Sequence, residues 1–374
     1  MLIYRGYKTE LAPNNKQRTL FAKNAGAARF AFNWALDIKK KAMESKIKIP
    51  NAIELHRRLN KLKQTDLPWM YEVSKCSPQE ALKNCDNAFN NFFRRCKQKK
   101  GPKGFPRFKS KKSRLRSFRL TGMIKVSDSH VQLPRLGRLK LKERGYLPTT
   151  NVKILSAIVS ERAGRWFVSI QVEENQPDYQ DVKDKHGIVG VDLGIKTLAT
   201  VSDGTKYENP KPLKTKLRKL KKLQQSASRK VKGSNNRKKA AKKVARLHFR
   251  ISNIRKDTLH KMTTTLAKTK RVVGIEDLNV SGMMKNRCLA RSIADLGLFE
   301  LRRQLSYKGI RYGCQIVLAD RFFPSSKMCS VCGKINENLT LADREWTCEC
   351  GVHHDRDHNA SVNLENVAAS LSET

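Results

Sequence analysis

Ile188-Val189-Gly190-Val191-Asp192-Leu193-Gly194 sets the reading of this chain, because an apolar run of strand length ends there on a carboxylate. Glu276, in Gly274-Ile-Glu-Asp-Leu278, follows another short apolar run, and Asp355-Arg-Asp357-His-Asn359-Ala360 brings further acids near the C-terminus. Between these last two blocks lie Cys329-Ser-Val-Cys332 and Cys348-Glu-Cys350, whose spacing is that of a zinc ribbon. Acids on three separate elements, in a chain of formal net charge +45, point to a metal-dependent enzyme acting on nucleic acid.

The charge is the outlier of the composition: 78 Lys and Arg stand against 33 Asp and Glu in 374 residues. Such an excess repels itself unless a polyanion shares the surface, and phosphate is the commonest such partner. A ribosomal-type RNA binder would show the same excess. The length suits two or three domains, and 39% hydrophobic residues are enough to build cores. No apolar run approaches the roughly 18 residues of a membrane span, so no membrane partner is expected. The opening Met1 to Lys8 is too short and too charged for a signal peptide. Cys76, Cys85, Cys96, Cys288 and Cys314 are scattered singly while four others form pairs. That pattern favours a metal in a reducing compartment, so a cytoplasmic location is expected.

Along the chain, residues 2–11 alternate like a strand and residues 14–46 have the period of a long helix, with Asn24 interrupting the apolar face. Ser77-Pro-Gln-Glu80 predicts the start of another helix, with Ser77 as cap and Glu80 closing a capping box. Residues 97–119 mix Phe105, Phe108 and Phe118 with Arg107, Arg114, Arg116 and Arg119, which suits either base stacking or simple burial beneath a loop. Ala157 to Val172 reads as a hairpin turning at Ala163-Gly164, and residues 176–186 as a polar linker. Lys214 to Lys256 contains no acid, keeps a helical period through Leu217, Leu220, Leu223, Val244, Leu247, Ile251 and Ile254, and turns at Gly233-Ser-Asn-Asn236. A basic αα-hairpin with no interspersed acids is expected to lie on a phosphate backbone.

Two-metal phosphodiester hydrolysis needs acidic ligands converging on Mg²⁺ ions about 4 Å apart. Mg²⁺ prefers hard oxygen donors and keeps some of its waters, so three carboxylates are a sufficient protein share. Asp192 and Glu276 would arrive from strands and Asp357 from the start of a final helix over residues 359–367. Singly, each acid also reads as a strand-end turn residue, a surface acid or a helix cap. Four thiolates, from Cys329, Cys332, Cys348 and Cys350, suit one tetrahedral Zn²⁺ with no open position, which makes that site structural. His353 and His354 lie beside it, but four cysteines already fill the sphere.

Five blocks resemble, in order, the TnpB proteins of insertion sequences: Gly190-Val-Asp-Leu-Gly-Ile-Lys-Thr-Leu-Ala199, Gly274-Ile-Glu-Asp-Leu-Asn-Val280, Leu289-Ala-Arg-Ser-Ile-Ala-Asp295, Phe323-Pro-Ser-Ser-Lys-Met-Cys-Ser-Val-Cys-Gly333 and His354-Asp-Arg-Asp-His-Asn-Ala360. Gly101-Pro-Lys-Gly-Phe-Pro-Arg-Phe-Lys109 is similar to the same family's N-terminal half. The resemblance implies a multidomain α/β plus β protein. It would have an RNase H-like (RuvC-type) nuclease domain with an inserted zinc ribbon, preceded by a wedge-type β-barrel carrying a helical recognition insertion. On this chain that gives residues 1–12 and 98–180 for the barrel and 13–97 for the insertion. Residues 181–322 are the nuclease domain with its basic hairpin at 212–258, 323–352 the ribbon, and 353–374 the last nuclease segment and tail. Asp192, Glu276 and Asp357 match the family's metal-binding acids, Asp357 being chosen over Asp355 on motif spacing.

The resemblance further implies an RNA-guided DNA endonuclease whose partners are a guide RNA and target double-stranded DNA, with two Mg²⁺ ions and one structural Zn²⁺. No small-molecule substrate is implied, and a monomer is expected. The rival readings are a nuclease-inactive RNA-guided repressor on the same scaffold and an accessory transposase-like DNA-binding protein. Lys75, Gln79 and Lys83 are candidates for reading the flanking DNA motif, and Arg107, Lys238, Lys239, Lys242, Lys243 and Arg246 for holding phosphates.

Overall fold

The computed structural model describes residues 2–98, 103–111, 116–175, 187–340 and 342–372, so the expected linker at 176–186 and Arg114 lie outside the described residues. The chain divides into two compact units, Met1–Pro177 and Asp178–Thr374.

In the first unit, β1 (Leu2–Leu11) leads into α1 (Asn15–Glu44), α2 (Ala52–Gln64), a 3-10 turn (Pro68–Glu72) and α3 (Cys76–Gln98). The chain then forms β2 (Arg116–Leu120), β3 (Lys125–Val126), β4 (His130–Leu133), β5 (Gly137–Lys140) and the hairpin β6 (Val152–Arg162) and β7 (Arg165–Asn175). One sheet has the order β1-β7-β6-β2 and another β3-β4-β5. The hairpin turns at Ala163-Gly164, both left-handed at φ 55° and 75°, as the twist of the flanking strands requires. The end of β1 joins the second sheet where Ala12 donates to the Lys140 carbonyl at 2.8 Å and Lys142 to that of Glu10 at 2.9 Å. Both sheets and the helices share one core, which includes Leu11, Phe21, Leu82, Leu120, Leu139 and Ile170.

Asn24 is not a break in the apolar face of α1. It is fully buried, and its Oδ1 accepts from the Ser74 N–H at 3.1 Å and the Ser77 hydroxyl at 2.7 Å. A buried amide needs partners, and Ser77 supplies one of them instead of capping. Helix α3 accordingly begins at Cys76, and Glu80 pairs with Lys83 and Arg119 instead of closing a capping box. Helix α2 lies outside the elements expected from the sequence, although Asn51 and Glu54 form a capping box at its start. Of the three phenylalanines that suit stacking, Phe118 is buried beside Phe21 and Phe105 packs edge-on against Phe89 and Phe92. Phe108 is the most exposed of the three, at 54%.

The second unit runs β8 (Ile188–Asp192), β9 (Thr197–Val201), β10 (Lys206–Glu208), α4 (Pro212–Ser228), α5 (Asn235–Thr269), β11 (Val272–Glu276), α6 (Val280–Met283), α7 (Ala290–Leu296), α8 (Leu298–Tyr312), β12 (Gln315–Ala319), β13 (Glu345–Thr347), β14 (His353–Asp355) and α9 (Arg356–Ser372). Its main sheet has the order β10-β9-β8-β11-β12. The first three strands form an antiparallel meander, and β11 lies parallel to both β8 and β12. Val189, Val191, Val273 and Ile275 face the core formed with the ends of α5 and α8, while α9 covers the opposite face. The second arm of the basic hairpin does not stop near residue 258. It continues to Thr269 because Leu259, Met262 and Leu266 enter that core.

Candidate active site

Side chains alternate across a strand, so Gly190 and Asp192 share one face of β8, and Gly274 and Glu276 share the same face of β11. Gly190 pairs with Gly274 in register. A Cβ on Gly190 would stand 1.9 Å from the Ser361 carbonyl oxygen, and one on Gly274 would stand 2.4 Å from that of Leu364. The paired glycines therefore form a groove in which the backbone of α9 lies directly on the sheet. Each acid, two residues beyond its glycine, emerges on the α9 side, and Asp357 sits in the first turn of α9. Burial, then the charges of Glu276 and Asp357, push Asp192 up to about 8, against the pull of Arg356 and the Leu193 N–H. Glu276 and Asp357 are thus both near enough for their charges to act on Asp192.

Neighbouring groups fix these acids. Ser325 donates its hydroxyl to Glu276 Oε1 at 2.6 Å. Asp277, next in sequence, is instead held by Arg302 and Arg321, whose hydrogen bonds keep its carboxyl below the ordinary value. Asp355 Oδ1 accepts the Asp357 and His358 N–H groups at 3.0 and 3.1 Å, which is the geometry of a helix cap, and its Oδ2 meets Lys206 at 3.1 Å. Although burial opposes it, the His358 N–H and Lys206 hold the Asp355 carboxyl low. Asp357 carries no such cap and lies 3.4 Å from Arg356 and 3.6 Å from Arg344.

Arg344 also lines a cavity of about 800 Å³ with Lys196, Lys211, Lys214, Arg287 and Arg291. The acid on this cavity, Asp295, is engaged. It accepts the Leu213 and Lys214 N–H groups at 2.8 and 3.3 Å, caps α4 from a distant part of the chain, and pairs with Arg255 of α5 at 2.7 Å. Sequence reasoning missed this clip, because a single Asp in Leu289-Ala-Arg-Ser-Ile-Ala-Asp295 gives no sign of what it will cap. The hairpin arms meet through Leu220, Leu247 and Ile251, leaving Lys238, Lys239, Lys242, Lys243 and Arg246 exposed. In the first unit Lys75 and Arg107 are exposed, Gln79 is half-buried, and Lys83 is tied to Glu80 at 2.9 Å.

The four ribbon sulfurs all lie within 4.8 Å of one another, with Cys329–Cys350 at 3.8 Å and Cys332–Cys348 at 3.5 Å. A tetrahedral ion with bonds of about 2.3 Å would set sulfur edges near roughly 3.8 Å, so the quartet fits Zn²⁺. Burial opposes ionisation of Cys329, yet the N–H groups of Cys332 and Val331 and the His354 ring bring it down to about 6. The Cys350 N–H favours the Cys348 thiolate, but burial and the neighbouring sulfurs push it up to about 12. Four thiolates this close need a cation to ionise together. His354 Nε2 lies 3.1 Å from Cys329 Sγ and its ring packs on Trp346, while His353 points outward to Thr347.

Residues 168–287 match the family model described as "Probable transposase", residues 299–364 that of a "Cas12f1-like, TNB domain", and residues 1–48 that of a "Helix-turn-helix domain". A Streptomyces pristinaespiralis protein named "Putative RNA-guided DNA endonuclease" is 38% identical over 373 residues, covering 99% of this chain and 90% of the relative. The chain belongs to the TnpB family. A further TnpB relative, "Putative RNA-guided DNA endonuclease InsQ" of Escherichia coli K12, is 34% identical over 96% of the chain and 90% of its own length. A "TnpB-like protein L79" of Acanthamoeba polyphaga mimivirus matches half of the chain at 28% identity. Among solved structures, the "mini-RNA-guided endonuclease CRISPR-Cas_phi3" matches with a TM-score of 0.50 and 10% identity, over 98% of this chain and 92% of that one, which shows a shared fold. No helix among the described residues is long and apolar enough to cross a membrane.

Proposed function

We propose that this TnpB-family chain is an RNA-guided DNA endonuclease that hydrolyses phosphodiester bonds at Asp192, Glu276 and Asp357. The observation that carries this reading is geometric: paired strands present Asp192 and Glu276 on the face that α9 covers, and the first turn of α9 holds Asp357. A cation among three carboxyls offsets the repulsion between them, and hard carboxylate donors suit Mg²⁺. A meander joined to parallel strands in the order β10-β9-β8-β11-β12 agrees with an RNase H-like (RuvC-type) domain.

Asp192, Glu276 and Asp357 would hold two Mg²⁺ ions, which supply Lewis-acid stabilisation of the attacking and leaving oxygens. Ser325 keeps one Glu276 oxygen in a fixed direction, and Asp355 keeps the first turn of α9 wound beneath Asp357. The cations of the cavity beside Arg344 would draw in the phosphates of the strand to be cut. The exposed cations of α5 are suited to a second stretch of backbone. A guide RNA would choose the sequence by base pairing, while the protein reads backbone geometry and a short flanking motif. The first unit serves in this reading as wedge-type barrel and recognition insertion, with Lys75 and Gln79 at its motif-reading surface. The cysteine quartet would hold one structural Zn²⁺.

The test is to sequence the RNA that copurifies with the chain, and then to offer the RNA-loaded protein a matching duplex with Mg²⁺. Guided cutting in the wild type and none in Glu276→Gln supports the reading. Guided binding without cutting in the wild type would make the chain a repressor.

A further inference from the structure

We propose that Ser325 is a positioning residue for Glu276, locked to the zinc knuckle by the buried amides Asn359 and Asn363, so that the carboxylates' hold on a divalent cation depends on that lock. The inference rests on the reading of Glu276 as a metal ligand.

Ser325 is 2% exposed and donates its hydroxyl to Glu276 Oε1 at 2.6 Å. A hydrogen bond to a carboxylate is short and strong, and it leaves the second carboxylate oxygen aimed in one direction. Ser325 is itself fixed from behind. Asn363 donates to the Ser325 carbonyl at 2.8 Å and to that of Met328 at 2.7 Å. One helical turn earlier, Asn359 donates to the same Met328 carbonyl at 2.7 Å and accepts the Ser330 N–H at 2.9 Å. Met328 and Ser330 flank Cys329, the first thiol of the quartet.

Both asparagines are almost fully buried, at 2% and 3% exposure, where amides are costly unless every bond is made. Their bonds go to the knuckle, and they stand on the helix whose first turn carries Asp357. A single buried polar chain therefore runs from the Cys329 loop through α9 to Ser325 and Glu276. Ordering of the knuckle by its ion would set the direction of an acid that belongs to a different metal site. Groups that orient metal ligands from behind typically change metal affinity by about 10–100-fold when removed.

The experiment compares the full-length wild type with Ser325→Ala and Glu276→Gln. Mn²⁺ binding is read by electron paramagnetic resonance, zinc per chain by atomic emission, and single-turnover cutting by the RNA-loaded protein as a function of Mg²⁺. Ser325→Ala is expected to keep its zinc and its guided DNA binding, to bind Mn²⁺ about tenfold more weakly, and to need correspondingly more Mg²⁺ for half-maximal cutting. Unchanged Mn²⁺ affinity in Ser325→Ala overturns the proposal, as does loss of zinc, which would make Ser325 a part of the ribbon alone. Full cutting and wild-type Mn²⁺ binding by Glu276→Gln would instead overturn the reading of Glu276 itself.

Discussion

Gly190 and Gly274 stand opposite one another on neighbouring parallel strands, and neither has room for a β-carbon beneath α9. The pair explains why the acids two residues further on meet the helix that carries Asp357. Gly190→Ala would force a carbon into the Ser361 carbonyl, and backbone cannot swing aside as a side chain can. We expect a loss of at least about 1–3 kcal/mol in urea denaturation, with Gly274→Ala milder. Wild-type stability in Gly190→Ala would show that α9 is not seated in this groove.

The three carboxylates should behave alike and their neighbour differently. Asp192→Ala, Glu276→Ala and Asp357→Ala are each expected to abolish Mg²⁺-dependent cutting while leaving RNA-dependent DNA binding largely intact. Asp355→Ala should lose a cap worth about 0.5–2 kcal/mol and retain cutting at low temperature. Full cutting by Asp357→Ala, with loss in Asp355→Ala, would reverse the two assignments.

Asp192 gives the metal-free chain a pH dependence of defined sign. Its folded value, about 8, lies above the roughly 3.9 of an unfolded aspartate. Between those values the folded chain holds a proton that the unfolded chain releases, so stability falls as pH rises through the window. In chelator, the thermal midpoint of the wild type should drop more between about pH 5 and pH 8 than that of Asp192→Asn, and Mg²⁺ should restore it. Parallel curves for the two proteins would remove Asp192 as the source.

The exposed cations of α5 are expected to hold phosphates. Replacing Lys238, Lys239, Lys242, Lys243 and Arg246 with Gln should weaken nucleic-acid binding. Each phosphate that the substituted helix no longer neutralises should lower the slope of log K against log salt by about 0.7–0.9. An unchanged slope would leave this face a solvated arm.

Zinc removal should act on the fold before the chemistry. The chain is expected to carry one zinc, and Cys332→Ser or Cys348→Ser to lower that content and the thermal midpoint together. A chain that holds no zinc and melts no lower after chelation would leave the quartet as free thiols.

Short-range signals in the sequence were enough for much of this architecture. The alternation of Leu2–Leu11, the turn at Ala163-Gly164, the acid-tipped runs ending at Asp192 and Glu276, and the spacing of Cys329, Cys332, Cys348 and Cys350 each depend on residues close in the chain. Strand and helix periods, tight turns and chelate spacing repeat over a few positions, so one stretch of sequence contains them whole. Tertiary structure alone decided the rest. Asn24 became a junction because Ser77, 53 positions away, reached its amide, and Asp295 became the cap of α4 across 82 positions. Phe118 went into the core while Phe108 stayed out, and Asp355 took the cap of α9, leaving Asp357 in its first turn. A buried polar group must find a partner wherever the fold brings one, and no local pattern records that choice.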